Sequence, residues 1–275
     1  MGDGWPAPVL QELARVLPVG AAARMVLRSA GFPAEHVPSQ ADTTPLEFWG
    51  RIDEALSAGL LDRGHDRVLA AACDRFPANR VLCRRRVRKV LFVGAGPVGQ
   101  QRLRSDRELR EILAVTRRLD LHVEPCPAAD VTDLRRLLSL RPDLLHLACH
   151  GDGENLVFEY PSGRQHGIPA VEVASLLETY RLQTGVPLQG ILLGSCFSDK
   201  IAALFASPEV TVVAHEGELD DDCAVRFAGQ FYEALAEVGE IGAAARIAAT
   251  HVAGQHRCAG LPSHLVVLEP SPQER

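Results

Sequence analysis

The feature that most constrains this chain is a change in the spacing of its apolar residues near position 89. Before it, apolar residues recur every three to four positions, as in Val9-Leu10-Leu13-Val16-Leu17 and Ala21-Ala22-Met25-Val26-Ala30. That is the spacing of one helix face. Gly31-Phe32-Pro33 and Pro38-Ser39-Gln40 act as stops, and Thr44-Pro45, with Glu47 close behind, opens a third helix. Its buried side carries Phe48, Ile52, Ala55 and Leu56; Trp49 is read as core, with a partner-facing surface as the alternative. Gly59 ends it, and residues 65–73 make a fourth. With no strand-like alternation, residues 1–80 are expected to form a small antiparallel all-helical bundle.

From Lys89 onward, short continuous apolar runs alternate with helical stretches. Strands are expected at 90–93, 121–123, 143–148, 188–194, 210–214 and 264–268. Helices are expected from Ser105, where Ser105 and Glu108 read as a capping box, to about 118, then at 132–140 and 171–182, with two more after 214. Fully apolar strands separated by helices imply an α/β fold, a mostly parallel sheet covered on both faces. Residues 81–89, containing Arg84, Arg85 and Arg86, read as a basic linker between the helical domain and a sheet domain at 90–275.

Composition removes several classes of function. With 29 basic against 35 acidic residues, the net charge of −6 supplies no drive toward nucleic acid. No apolar run approaches the roughly 20 residues needed to span a bilayer, and the first residues lack a signal-peptide pattern. Seven dispersed cysteines read as reduced thiols in a cytoplasmic protein.

Two strands end in reactive residues. One runs Leu144-Leu145-His146-Leu147-Ala148-Cys149 and breaks at His150-Gly151-Asp152-Gly153; another runs Ile191-Leu192-Leu193-Gly194 and breaks at Ser195-Cys196-Phe197-Ser198-Asp199. In an open α/β sheet, sites form at the carboxyl ends of strands. The 46 positions between His150 and Cys196 hold one crossover, so the two strands can be neighbours. An imidazole beside a thiol makes an attacking sulfur. Gly151, lacking Cβ, lets its N–H approach an oxyanion, with the Cys196 N–H as second donor. Cys149, among apolar neighbours, reads as buried filler.

Other motifs are weaker. Gly94-Ala95-Gly96-Pro97-Val98-Gly99 matches G-x-G-x-x-G after a strand, with Glu124 roughly where a ribose ligand would sit. A dinucleotide site needs its helix to begin inside the loop, however, and here the helix start lies at Ser105. His251, His256 and Cys258 match no four-ligand zinc spacing. No cofactor or metal is called for.

Residues 88 to about 255 resemble the caspase-like CHAT peptidases of bacteria. The resemblance rests on KVLFVGAGPVGQQRLRSDRELREI, PDLLHLACHGDGENLVFE, LQGILLGSCFSD and VTVVAHEGELDDDCAVRFAGQFYEAL. It implies a caspase-type fold and a cysteine endopeptidase, with His150 as base, Cys196 as nucleophile and Gly151 at the oxyanion hole. GSCFSD stands in place of the eukaryotic QACRG, so specificity for aspartate is not implied. Asp221, in the Asp220-Asp221-Asp222 run, would line a pocket for a basic substrate residue, and Arg84-Arg85-Arg86 would then be an autoprocessing site. The N-terminal LPVGAAARMVLRSAGFP, TPLEFWGRIDEALSAG and CDRFPANR resemble an effector-associated domain, a death-like adaptor of bacterial conflict proteins. That implies recruitment by a protein carrying a similar domain, with a protein as substrate, in a defence or cell-death pathway. The alternatives are a catalytically silent adaptor of the same fold and, behind it, a dinucleotide-binding protein.

Overall fold

The helical spacing of the first segment folds into α1 (Ala7–Val16), α2 (Ala21–Ala30), α3 (Pro45–Ser57) and α4 (Gly64–Arg75). These come from a computed structural model that describes residues 4–39, 43–77, 79, 81–83, 87–98, 105–119, 121–254 and 258–270. Each boundary has a local cause. Gly31 ends α2 in the left-handed conformation at φ 77°, where a residue without Cβ is unstrained. Thr44 and Glu47 cap α3 reciprocally, satisfying two amides that a helix start leaves open. The four helices bury Leu13, Leu17, Leu27, Phe48, Trp49 and Ile52 together.

The partner-facing alternative for Trp49 is corrected here. Its ring is fully buried, and its indole N–H donates to the Leu17 carbonyl at 2.9 Å. Leu82 packs into the same core, and the Asn79 side chain accepts the amides of Val81 and Leu82. The two compact units of the chain divide between Arg85 and Arg86. Arg84, Arg85 and Arg86 lie outside the described residues.

The second unit is built on a six-stranded sheet of order β2-β1-β3-β7-β8-β9. Its strands are β1 (Lys89–Gly94), β2 (His122–Cys126), β3 (Leu144–Ala148), β7 (Gly190–Leu193), β8 (Thr211–His215) and β9 (Leu265–Leu268). All neighbours run parallel except the β8–β9 pair. Leu91, Val93, Leu145, Leu147, Ile191 and Val212 face one layer, which includes α7 (Ala170–Thr184) and α8 (Asp199–Phe205). Val90, Phe92, Leu144, Leu192 and Val213 face the other, made by α5 (Ser105–Thr116), α9 (Asp221–Val238) and α10 (Ile241–Ala253). Alternation along each strand thus loads both faces, as a parallel sheet requires. Burial of each large aliphatic side chain is worth roughly 1.5–3 kcal/mol. The crossover from β3 to β7 carries α7 and a separate antiparallel sheet of β4 (His150–Gly151), β5 (Asn155–Glu159) and β6 (Gln165–Pro169).

The reduced-thiol expectation fails for four cysteines. Cys73 is joined to Cys83, and Cys223 to Cys258. The second pair is 35 positions apart in sequence, and only the fold brings the first turn of α9 beside the segment ahead of α11 (Leu261–His264). This also ends the metal reading of Cys258; His251 is exposed, and His256 lies outside the described residues. Among the described residues no helix is long and apolar enough to cross a membrane.

Leu13 is fully buried, so Leu13→Ala should destabilise the helical unit by about 2–5 kcal/mol. Both tryptophans, Trp5 and Trp49, belong to this unit. Tryptophan fluorescence during urea unfolding should therefore show a lowered midpoint; an unchanged midpoint would contradict this packing.

Candidate active site

The register of β3 against β7 delivers the site. Leu144 to Leu147 pair with Gly190 to Leu193, and the ladder continues one step as the Gly194 N–H donates to the Leu147 carbonyl at 2.8 Å. Both strands then break. His150-Gly151 turns away to pair with Val157 and Leu156 of β5, and Ser195-Cys196 enters the turn before α8. The two breaks touch. A Cβ placed on Gly151 would stand 3.0 Å from the Ser195 Cβ and 3.1 Å from the Cys196 carbonyl oxygen. Any other residue at 151 would push the turns apart.

The cysteine turn is held from several sides. Phe197 takes the left-handed conformation at φ 54°, which costs a bulky residue roughly 1–2 kcal/mol. Its N–H donates to the Gly217 carbonyl at 2.7 Å. The Ser198 hydroxyl accepts the His215 N–H at 2.8 Å and donates to the Leu193 carbonyl at 3.3 Å, tying β7 to β8. The Lys200 ammonium lies 4.9 Å from the centre of the Phe197 ring.

Of the three unbonded cysteines, Cys126 and Cys149 are buried and Cys196 is partly exposed. Burial pushes the Cys149 thiol up to about 12 and raises that of Cys126. Cys149 is filler, as its neighbours implied. The Cys196 sulfur accepts the Leu219 N–H at 3.5 Å. The His150 Nε2 and the Ser195 hydroxyl are buried without hydrogen-bond partners, and among the described residues no hydrogen bond joins the imidazole to the thiol. The site thus has an unpaired ring nitrogen in the turn that touches the cysteine turn.

The three aspartates at the start of α9 have separate environments. Asp220 caps the helix by accepting the amides of Asp222 and Cys223, and Asp222 pairs with Arg107 at 2.8 Å. Asp221 is half-buried; desolvation raises its carboxyl above the usual range, the Asp220 charge adds to this, and His150 opposes it. An adjoining cleft is lined by Glu216, Glu218, Leu219, Asp220, His215 and His264 among others, but not by Asp221.

The glycine loop after β1 is already occupied. The amides of Ala95, Gly96 and Val98 donate to the Ala148 carbonyl, the Glu159 carboxylate and the Gly163 carbonyl. Pro97 has none, and Gly99 lies outside the described residues. The described amides are therefore unavailable to a pyrophosphate, which removes the observation behind the dinucleotide reading.

One polar cluster escaped the sequence reading. Glu108, cast there as a cap, is buried with Oε1 3.1 Å from the His146 Nε2, and the His146 Nδ1 lies 3.1 Å from the Tyr232 hydroxyl. The signal was a lone histidine inside an otherwise apolar strand, four residues before His150.

His215 is buried at the end of β8, edge-on to Phe227, with both ring nitrogens unpartnered. Desolvation pushes its pKa from 6.5 down to about 4, and the nearby His264 charge adds to this. The unfolded chain takes up this proton near pH 6.5 and the native state only near 4. The contribution is therefore complete above pH 6.5 and is lost as pH falls toward 4, on the order of 3 kcal/mol in all. His215→Leu should flatten the acid limb of stability between those values. Urea titrations showing an unaltered limb would contradict it.

Two family models match this chain: effector-associated domain 1 over residues 4–89 and the CHAT domain over residues 65–271. A protein named Roc-COR-CHAT protease, from an unknown prokaryotic organism, is 26% identical over 175 residues, covering 60% of this chain and 16% of that protein. The chain thus corresponds to a small part of that relative's length. The crystal structure of the Drosophila initiator caspase Dronc aligns with a TM-score of 0.49 at 9% identity, covering 67% of this chain and 81% of that one. The N-terminal match covers under a third of the chain, but with well over half its length matched by the second model, this chain belongs to the CHAT domain family.

Proposed function

We propose that the chain is a cysteine endopeptidase with His150 and Cys196 as its dyad. One observation carries the reading: the His150-Gly151 turn touches the Ser195-Cys196 turn at the exits of two parallel neighbours, and the second turn bears the one partly exposed unbonded cysteine. Membership of the CHAT family and a relative named a protease support it.

The chemistry follows from these groups. The His150 imidazole takes the Cys196 thiol proton, and the sulfur attacks the carbonyl carbon of a peptide bond. The carbonyl electron pair moves onto oxygen, toward the N–H groups of Gly151 and Cys196. Collapse expels the amine, which receives the proton from His150, and leaves a thioester on Cys196. Water, deprotonated by His150, then releases the acid and restores the thiol. The unpaired His150 Nε2 is the kind of buried group that a structural role leaves satisfied and a proton carrier leaves open. Asp221 selects a basic residue before the cut, beside the acidic rim of Glu216, Glu218 and Asp220, and Arg84-Arg85-Arg86 is a self-cleavage site of matching chemistry. The helical domain recruits the enzyme to a protein carrying a similar effector-associated domain, in a bacterial conflict or cell-death pathway.

Iodoacetamide distinguishes this enzyme from a silent adaptor of the same fold. Cys196 should alkylate at least about tenfold faster than Cys126 and Cys149, and His150→Ala should abolish most of that excess. A Cys196 rate indifferent to His150→Ala would favour the adaptor. For specificity, a peptide library should yield cuts after Arg or Lys that Asp221→Asn suppresses. Wild type should also nick itself between residues 80 and 89 while Cys196→Ala stays whole. A profile without basic preference would remove Asp221 from this role.

A further inference from the structure

Among the described residues, the sheet face covered by α5, α9 and α10 is mostly apolar, and two buried histidines interrupt it, His146 within it and His215 at the end of β8. Phe92, Leu144, Ala148, Leu192, Phe231 and Ile112 are buried there, and among them stands His146, completely buried, with Phe92 edge-on at 5.0 Å. Its Nδ1 is hydrogen-bonded to the Tyr232 hydroxyl at 3.1 Å, whereas its Nε2 lies 3.1 Å from the Glu108 Oε1 at ion-pair distance but without hydrogen-bond geometry. The Glu108 side chain is only 7% exposed. Stability alone is a poor reason for such a pair, because apolar residues of equal volume often serve a core as well or better. What a buried hydrogen bond adds over apolar contact is direction, and here the bond between His146 and Tyr232 supplies it.

The direction here concerns the site. His146 lies in β3, whose last residue, Ala148, stands two positions before His150. Across the ladder, a Cβ on Gly194 would stand 3.4 Å from the His146 Nε2, so the ring reaches beneath the backbone two residues before Cys196. Glu108 comes from the first turn of α5. Tyr232 comes from α9, the helix that begins at Asp221. Four elements that converge on the site therefore meet at one imidazole.

We propose that the Glu108–His146 pair, steadied by Tyr232, is a positioning device that sets the separation and orientation of the His150 and Cys196 turns. The proposal rests on the dyad reading above. Neither Glu108 nor His146 touches reacting atoms, and their influence passes through the strand ends. Displacements near 1 Å at reacting groups lower rates by about a hundredfold, so a floor held by a directional bond matters more to reactivity than to folding.

The test uses the full chain, iodoacetamide as probe, and mass spectrometry of the Cys196 peptide. In the double variant Glu108→Leu, His146→Leu, the melting temperature should equal or exceed that of wild type. The His150-dependent part of Cys196 alkylation should fall at least about tenfold. Glu108→Gln, which keeps an acceptor facing the ring, should recover part of that loss. A folded double variant alkylating within about twofold of wild type would overturn the proposal, since a merely structural pair leaves this rate unchanged. Tyr232→Phe removes only a hydroxyl and decides the matter if the double variant does not fold. It should slow alkylation severalfold at an unchanged melting temperature, and an unchanged rate would overturn the proposal. A wild-type rate independent of His150 would instead sink the dyad reading, and the positioning role with it.

Discussion

The parallel hydrogen-bond ladder between β3 and β7 is the constraint on which the rest of the second unit depends. It joins segments 46 positions apart at the level of Leu144 and Gly190, and it still holds where the Gly194 amide meets the Leu147 carbonyl. Because both strands run the same way, both exits lie on one edge, and the residues just beyond them face a common space. A slip of one residue would turn the side chains of β7 toward the opposite layer, since side chains alternate between faces. The apolar loading of both faces makes that slip expensive, so the burial of Leu145, Leu147 and Ile191 also fixes where β7 ends and the cysteine turn begins.

Among the described residues, most buried polar side chains of this unit lie at the edge of the sheet, as Ser195, Ser198 and His215 do, or in one place beneath it, as Glu108 and His146 do. At the edge, Ser198 staples β7 to β8, Phe197 accepts a strained conformation, and Gly151 allows two turns to touch. Beneath it, Glu108, His146 and Tyr232 form a polar island inside an apolar layer, with a hydrogen bond between His146 and Tyr232. Local cost at the edge and polar cost in the interior are both met by the packing of α5, α9 and α10.

Much was legible from local pattern. The helical spacing around Leu13 and Phe48, the Thr44–Glu47 cap, and the apolar strands at 90–93 and 143–148 depend on residues within a few positions of each other, and each appears in the structure close to where it was read. The positions of His150 and Cys196 at strand exits were legible for the same reason. The bonding of Cys223 to Cys258 was not, nor was the inward turn of Glu108. Both depend on what a helix start meets across the fold. The glycine loop misled in the same way: G-x-G-x-x-G describes a backbone able to bind phosphate, and only the arrival of Glu159 and Gly163 from the β5–β6 hairpin shows its amides already taken.

The amino-acid sequence alone determined the class of each segment and put a histidine and a cysteine at the ends of two strands, because periodicity, caps and breakers act over one or two turns of chain. Tertiary structure decided which of those residues meet: the contact of Gly151 with Cys196, the burial of Trp49, and the placement of His146 under the strand that ends in the cysteine turn. Such meetings are set by strand register and by helices closing over a sheet. These are long-range choices, made by the sum of apolar burial rather than by any neighbouring residue.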